Sequence, residues 1–416
     1  MLPPLRTGVC VIGAGPAGLM AAICAASAGA PTTVAEANTQ PGRKLLLTGG
    51  GRCNFTHVGR PEDIARAFGK AGRFLRHGLH DLSPDMVIEF FHARGLPAEA
   101  EPDGCIFPVS NKADDVLGVL VREAEELGVE FLYRLPALDL KITHDGFAVE
   151  TSRRIVTSAR LILATGGVTW PQTGSTGDGL RFAAALGHTV TAPKPSLVPL
   201  VTRETWVREL AGVSVPAVKI WAAADKRRTV TGGNMLFTQH GVGGPAVLDL
   251  SRFLVDELSQ AGCGIDIRID MAPGLDVHGL DRQLKQKLHT TPKKTVANVL
   301  AESMPRQFAW ALCRIAQCDG DLRIAHLRAD VRRRLVASIK GLPLCVTGTE
   351  PIAAATVTHG GVSTAEIDAR TMESRILPGL FFAGEVIDVD GPCGGYNLQA
   401  CWSTGALAGR SATRSL

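Results

Sequence analysis

The sequence predicts an α/β fold built on a Rossmann-like dinucleotide-binding domain, and three observations carry the prediction. Val9-Cys10-Val11-Ile12, an uncharged β-type run, leads straight into Gly13-Ala14-Gly15-Pro16-Ala17-Gly18. A helical stretch, Leu19–Ala28, follows, and Glu36 stands eighteen residues beyond Gly18, after the next short apolar run. Far downstream, Leu161–Gly167 and Leu380–Glu385 are again apolar strands that end abruptly in glycine.

Each part of the first unit has a physical task. Gly13 permits the tight turn, Gly15 lets a pyrophosphate approach the backbone, and Gly18 lets the helix pack close to the strand. The helix N-terminus offers unpaired N–H groups and a partial positive charge to the phosphates. Glu36, with Ala37 beside it, is spaced to take the ribose hydroxyls. A lone Gly-x-Gly-x-x-Gly is a weak signal. With its strand, its helix and its acid, it reads as a nucleotide site rather than a plain turn.

The rest of the chain follows in order. Gly42–Asn54 is too glycine-rich and too basic to be core. Pro61–His80, Pro84–Arg94 (capped by Ser83) and Ala113–Leu127 read as helices, and Val129–Tyr133 as a parallel strand. Phe147–Val149 and Ile155-Val156 suggest a small antiparallel ribbon leading into a buried strand, Arg160–Ala164. Composition shifts near Pro193–Pro199, and Leu197–Val201, Ala217–Ala222 and Ile265–Ile269 read as a β-rich domain. Helices are expected at Val277–Leu288, Lys294–Met304, Gln307–Gln317 and Ala329–Ile339, and a strand at Ala355–Thr358. The expected domains are residues 1–192 with 350–416, residues 193–274 with 341–349, and a helical insertion of 275–340.

Composition narrows the function classes. The 416 residues are 45% hydrophobic and 20% charged, ordinary for a globular protein. The net charge of +4 is too small to mark a nucleic-acid partner. Lys226-Arg227-Arg228 and Arg332-Arg333-Arg334 read as a solvated turn and a solvated helix face. Val9–Ala30 carries no charge, but its glycines and proline divide it into strand, turn and helix, so no membrane span and no signal peptide is expected. A cytoplasmic setting would keep the ten cysteines reduced. No paired Cys-x-x-Cys spacing points to a metal, and Cys313 and Cys318 read as two buried structural thiols.

The two later glycine junctions decide the cofactor. An apolar strand delivers backbone, and glycine keeps side chains away from a pyrophosphate and ribityl chain. Ala164-Thr165-Gly166 and Gly384-Glu385, together with Gly394-Gly395, favour FAD over NAD as the resident cofactor. Asn397 and Leu398 would open a last helix, Gln399–Gly409, whose positive end can stabilise charge on the reduced flavin. Lys44 and Arg52 are the cations expected near the cofactor, with Asn54 as a polar clamp. Gly51, Cys53 and Ala137 complete the expected contacts.

Several long motifs resemble the YhiN/BaiN-like flavoproteins. They are Gly42-Arg43-Lys44 with Gly49–Asn54, Ala164–Gly179, Pro195–Pro199, Thr371–Ser374 and Phe382–Gln399. The resemblance covers nearly the whole chain. It implies an FAD domain made from both chain ends, of the two-dinucleotide-binding-domain flavoprotein type, with an inserted β-barrel domain and a small helical domain. It also implies NAD(P)H as a transient reductant and reduction of activated C=C bonds, in steroid-like enones or in a uridine of large ribosomal RNA. The chain departs from the family where Gln239 stands at a common His position with His240 beside it, and where Gly243 replaces Ser. His57 stands where Asn is common, and Cys393 where Thr is common.

The expected mechanism is ping-pong hydride chemistry, since no second Gly-x-Gly-x-x-Gly is present for a resident nicotinamide. Candidate acids are His240, His359, Cys393 and Tyr396. The competing readings are an rRNA dihydrouridine synthase and a non-enzymatic flavin-bound sensor. The acceptor, small molecule or rRNA, and the oligomeric state are left open.

Overall fold

The apolar run at the N-terminus extends into the strand Leu5–Ile12, at the centre of a seven-stranded sheet. Val9, Cys10 and Val11 are fully buried because both faces of the sheet are covered, which is why the run is continuous rather than alternating. Thr32–Ala35 and Ile155–Leu163 pair with it in parallel, and Glu130–Leu132 extends the sheet beyond Thr32–Ala35. Past Ile155–Leu163 the sheet forks. One half of that strand pairs antiparallel with Gly146–Thr151 and, through it, with Ala137–Thr143; the other half pairs in parallel with Leu380–Phe382. The second half of the expected ribbon, Ile155-Val156, and the expected buried strand are thus one continuous strand in the main sheet, with Phe147–Val149 on the strand beside it.

The computed structural model describes residues 2–224, 227–260 and 264–414. It divides into one unit of Met1–Lys194 with Thr356–Leu416 and a second of Pro195–Ala355. In the first unit, the helix Pro16–Ser27 is apolar on nearly all sides, as a largely buried helix must be. It packs against the last helix, Tyr396–Ala412, so tightly that a Cβ on Gly405 or Gly409 would stand 2.4 Å from Ala17 O or 2.2 Å from Ala21 O. No helix among the described residues is long and apolar enough to cross a membrane.

The second unit holds a closed six-stranded antiparallel barrel, with strands Leu200–Thr202, Gly241–Gly243, Arg227–Phe237, Ser214–Ala224, Ile265–Asp270 and Leu342–Thr349 in order around it. Two expectations need correction here. Leu197–Val201 is not one strand, because Leu197 adopts a left-handed φ of 53° and separates Val190–Ser196 from Leu200–Thr202. The stretch read as uniformly β-rich also contains a sixteen-residue helix, Pro245–Gln260. Gly244 and Pro245 start it, and Ala246, Val247, Leu250 and Leu254, all fully buried, give the helical period that the β-branched text around them masked. The helices Val277–Thr290, Val296–Leu300, Arg306–Ile315 and Ala329–Lys340 follow close to the expected positions. Lys226 lies outside the described residues, as do the side chains of Arg227 and Arg228.

Candidate FAD site

The fingerprint turn is built as its residues require. Gly13 has a φ of 100°, and a Cβ there would stand 2.6 Å from Ala164 O in the neighbouring junction; one on Gly18 would stand 1.9 Å from Gly13 O. Gly15, at the N-cap, differs, for a Cβ there would meet nothing within 4 Å. That open space in front of the helix N-terminus is a cradle for a phosphate, and a side chain would fill it. Ala14, Pro16 and Ala17 complete the turn.

Glu36 is buried at the end of Thr32–Ala35. Its Oε2 accepts from Ala14 N at 2.8 Å, and its Oε1 accepts from Asn38 N and Asn38 Nδ2 at 2.8 and 2.7 Å. These bonds fix the carboxylate beside the fingerprint and leave it acceptor capacity for hydroxyls. Asn38, absent from the sequence reading, also donates to Thr173 O at 3.0 Å and so joins two loops. Ala37 is exposed beside it. Leu135 N donates to Glu36 O, which brings the start of the Ala137–Thr143 strand to the same edge.

The most connected polar cluster joins the basic loop to the two later junctions. Lys44 Nζ contacts Glu385 Oε2 and Thr169 Oγ1, each at 2.7 Å. Glu385 Oε1 accepts from Thr358 N at 2.8 Å and from Thr169 Oγ1 at 3.2 Å, while Val168 N donates to Thr358 Oγ1 at 2.9 Å. Four distant segments therefore meet around one carboxylate. Thr169 and Thr358 escaped sequence reasoning because their roles come from partners distant in the chain. In the same stretch, Thr165 Oγ1 and Trp170 Nε1 are buried with no protein partner, as expected of a junction shaped for a polar ligand. Gly166 has a φ of 74° and Gly384 one of 74°. Cys401, beside this cluster, is pushed up to about 12 by burial.

The other expected cations and clamps are more dispersed. Arg52 is committed to Glu101 at 2.6 Å and lies over the Phe107 ring. Gly51 and the buried Cys53 have φ of 87° and 62°, and Asn54 packs within 3.2 Å of a Cβ built on Gly49. Gly395 caps the last helix, where the Tyr396 ring packs tilted against His57 with centroids 4.5 Å apart. Asn397 holds the preceding turn through Gly391 N, Gly391 O and Pro392 O. Leu398 is buried and Cys393 half-buried.

Of the candidate acids, His359, Cys393 and Tyr396 lie in the first unit. His359 sits on the strand Val357–Val362, next to Thr358, and its Nδ1 is 2.9 Å from Asp390 Oδ1. Asp390, like Asn38, Thr169 and Thr358, is a residue that the sequence did not single out; it precedes the turn that Asn397 holds. His240 belongs to the second unit, exposed in the turn before Gly241–Gly243, with Nδ1 2.7 Å from Glu350 Oε1. The open cradle at Gly15, the fixed Glu36 and the three glycine junctions fit FAD.

Known proteins share the family and the fold of this chain. Residues 7–411 match the family model described as the HI0933-like protein Rossmann domain. The ribosomal RNA dihydrouridine synthase of Escherichia coli (strain K12) is 31% identical over 402 residues, 96% of this chain and 96% of its own. The 3-dehydro-bile acid delta(4,6)-reductase of Clostridium scindens is 31% identical over 405 residues, 97% of this chain and 98% of its own. A crystal structure of 3-ketosteroid delta1-dehydrogenase from Sterolibacterium denitrificans shares the fold, with a TM-score of 0.55 at 12% identity over 99% of this chain and 100% of that one. The chain belongs to the HI0933-like family of Rossmann-type FAD flavoproteins, as its motifs led us to expect.

Proposed function

We propose that this chain is an NAD(P)H-dependent reductase of activated C=C bonds, with His359 as the proton donor and Asp390 as its positioning residue. The observation that carries this reading is the 2.9 Å contact between His359 Nδ1 and Asp390 Oδ1, one residue from the Thr358–Glu385 link. The Clostridium relative's name, a bile acid delta(4,6)-reductase, supports the reaction class.

FAD, when bound, supplies the two-electron carrier between the reduced nicotinamide and the acceptor. The chain's share is binding and the proton. The N-terminus of Pro16–Ser27 would hold the pyrophosphate, Glu36 the ribose, and the Lys44–Glu385 cluster with Gly395–Leu398 the remainder. Reducing a conjugated C=C bond adds hydride at the β-carbon and a proton at the α-carbon. A carboxylate on Nδ1 fixes the ring's tautomer, so Nε2 is the atom that would carry the transferred proton. Asp390 also compensates the charge on the protonated ring before transfer.

The test is an anaerobic titration of the purified holoprotein with NADH and NADPH, followed by mixing with a 3-oxo-Δ4 steroid. Prompt bleaching of the flavin, and its return with the enone, is the expected result. His359→Gln should leave the first phase intact and slow the second. If neither nucleotide bleaches the flavin, the reductase reading fails and a flavin-bound sensor takes its place. If unmodified ribosomal RNA restores the colour and enones do not, the acceptor is a uridine.

A further inference from the structure

Folding gives the sequence step from Cys313 to Cys318 a definite geometry. The helix Arg306–Ile315 ends in a Schellman motif: Cys318 N donates to Cys313 O at 2.8 Å, and Gln317 N donates to Arg314 O at 3.0 Å. Gln317, with a φ of 53°, takes the left-handed position that glycine usually fills. Such a motif brings together the side chains of the two residues joined by its longer turn, and here both are cysteine. The 2.8 Å bond cannot leave their Cα atoms more than ~6.7 Å apart, inside the ~4.4–6.8 Å that a disulfide spans. Both are free thiols, and the Cys313 thiol donates to the Cys318 sulfur.

The two thiols are not equivalent. Cys313 is fully buried, whereas Cys318 is 8% exposed. Arg334, from the helix Ala329–Lys340, donates through Nε to Ala316 O at 3.0 Å and through Nη2 to Gln317 O at 3.3 Å, which sets its guanidinium over the cap. Burial and the Asp319 charge raise the Cys318 thiol, and Arg334 and the Cys313 thiol offset part of this. Burial pushes Cys313 up to about 12. Cys318 is therefore the sulfur that ionises more readily, and Cys313 is in place to trap it once oxidised.

We propose that hydrogen peroxide oxidises Cys313 and Cys318 to a disulfide that staples the end of Arg306–Ile315. The Cys318 thiolate attacks one peroxide oxygen, the O–O bond breaks, and the leaving hydroxide takes the proton that the thiol lost, as water. The Cys313 sulfur then attacks the sulfenic Cys318 sulfur, the S–O bond breaks, and the hydroxyl leaves with the Cys313 proton as a second water. The sulfurs lose two electrons and the peroxide gains them. Peroxide is close to water in size and needs only a narrow opening at Cys318, whereas a bulkier alkylating agent needs a wider one. The new bond holds Gln317 in a turn that its own side chain disfavours. The inference stands apart from the acceptor reading, because no turnover is read.

The experiment treats the FAD-loaded protein with hydrogen peroxide, blocks the remaining thiols in acidic denaturant with N-ethylmaleimide, and digests it with trypsin. Cleavage after Arg314 separates the two cysteines, so a disulfide joins peptides 307–314 and 315–323. Mass spectrometry should show the joined pair in place of both blocked peptides, and dithiothreitol should release them. Cys313→Ala should leave a sulfenic acid at Cys318 that dimedone traps, and Cys318→Ala should leave Cys313 a blockable thiol. Unaltered far-ultraviolet circular dichroism would show that both variants are folded. Two separately blocked peptides from the peroxide-treated wild type, or a sulfinic acid at Cys318 in place of the joined pair, would overturn the proposal. So would oxidation of Cys313 in Cys318→Ala, since Cys318 is the point of attack.

Discussion

Lys44 Nζ and Glu385 Oε2 stand 2.7 Å apart although 341 residues separate them in the chain. The side chains are 21% and 15% exposed, so the contact is neither a surface ion pair nor a fully desolvated one. Thr169 and Thr358 complete the hydrogen bonding of the carboxylate, which ties the basic loop, both glycine junctions and the strand Val357–Val362 into one unit.

Removing one partner should therefore loosen all four segments. Lys44→Met should weaken FAD binding to the apoprotein at least ~10-fold, by fluorescence titration, and lower its stability by roughly 2 kcal/mol. Lys44→Arg should restore part of both. Unaltered FAD affinity in Lys44→Met would detach the pair from the cofactor.

Asp390→Asn isolates the positioning role. The amide preserves the shape of the side chain and loses the charge that accompanies the protonated ring. Nicotinamide-driven bleaching should be unchanged, while reoxidation by the enone should slow by ~100-fold and shift in its pH dependence. A stopped-flow record with both phases slowed alike would point to a merely structural Asp390.

His188 makes stability depend on pH. Its ring is buried, with Nε2 2.9 Å from Ser374 Oγ and Nδ1 3.3 Å from Glu366 Oε2. Burial holds its pKa below the ordinary value, partly offset by the Glu366 charge. The unfolded chain takes up a proton below about pH 6.5 while the native ring resists it, so stability is full above that pH and falls as pH drops. Glu366, held low by hydrogen bonds from the side chain and the N–H of Thr189, acts in the same direction in more acid solution. Melting temperatures should decline below about pH 6.5, and His188→Gln should flatten the upper part of that decline.

The contact between the first and last helices leaves no room for a methyl group. Gly409→Ala would drive a Cβ to 2.2 Å from Ala21 O and should cost roughly 1–3 kcal/mol. Urea unfolding measures this, and a cost near zero would mean that the helices part easily.

Buried thiols should be silent to alkylation. Cys10, Cys53, Cys105, Cys313 and Cys401 are each raised to about 12, chiefly by burial. At pH 8 about one in ten thousand of each would be thiolate. Mass spectrometry after iodoacetamide treatment of the native protein should find these five unmodified, and labelling of Cys313 or Cys318 would contradict their structural role.

The parts of the site that local chemistry dictates were legible in the sequence. Gly13 and Gly18 follow from a turn with no room for a side chain, Gly15 and Glu36 from the ligand that the turn faces, Gly384 from a strand end and Gly395 from the cap of the last helix. What escaped was set by partners far away in the chain. Asn38, Thr169, Thr358 and Asp390 matter through what they touch across the fold, and no spacing rule marks a threonine or an aspartate for that. Arg52 shows the converse, since a cation in a striking motif proved committed to Glu101. In the second unit, the helical period of Pro245–Gln260 is masked in the sequence by the β-branched stretches on either side of it.

The interleaving of the two units also sets an order of synthesis. Leu5–Ile12 and Pro16–Ser27 are synthesised long before the helix Tyr396–Ala412, which packs on Pro16–Ser27, and the strand Leu380–Phe382, which extends the sheet beside Ile155–Leu163. Pro195–Ala355 is continuous and complete well before then. Pro16–Ser27 therefore spends that interval without its packing partner, which makes the cofactor unit the later to close and the more dependent on chaperone protection.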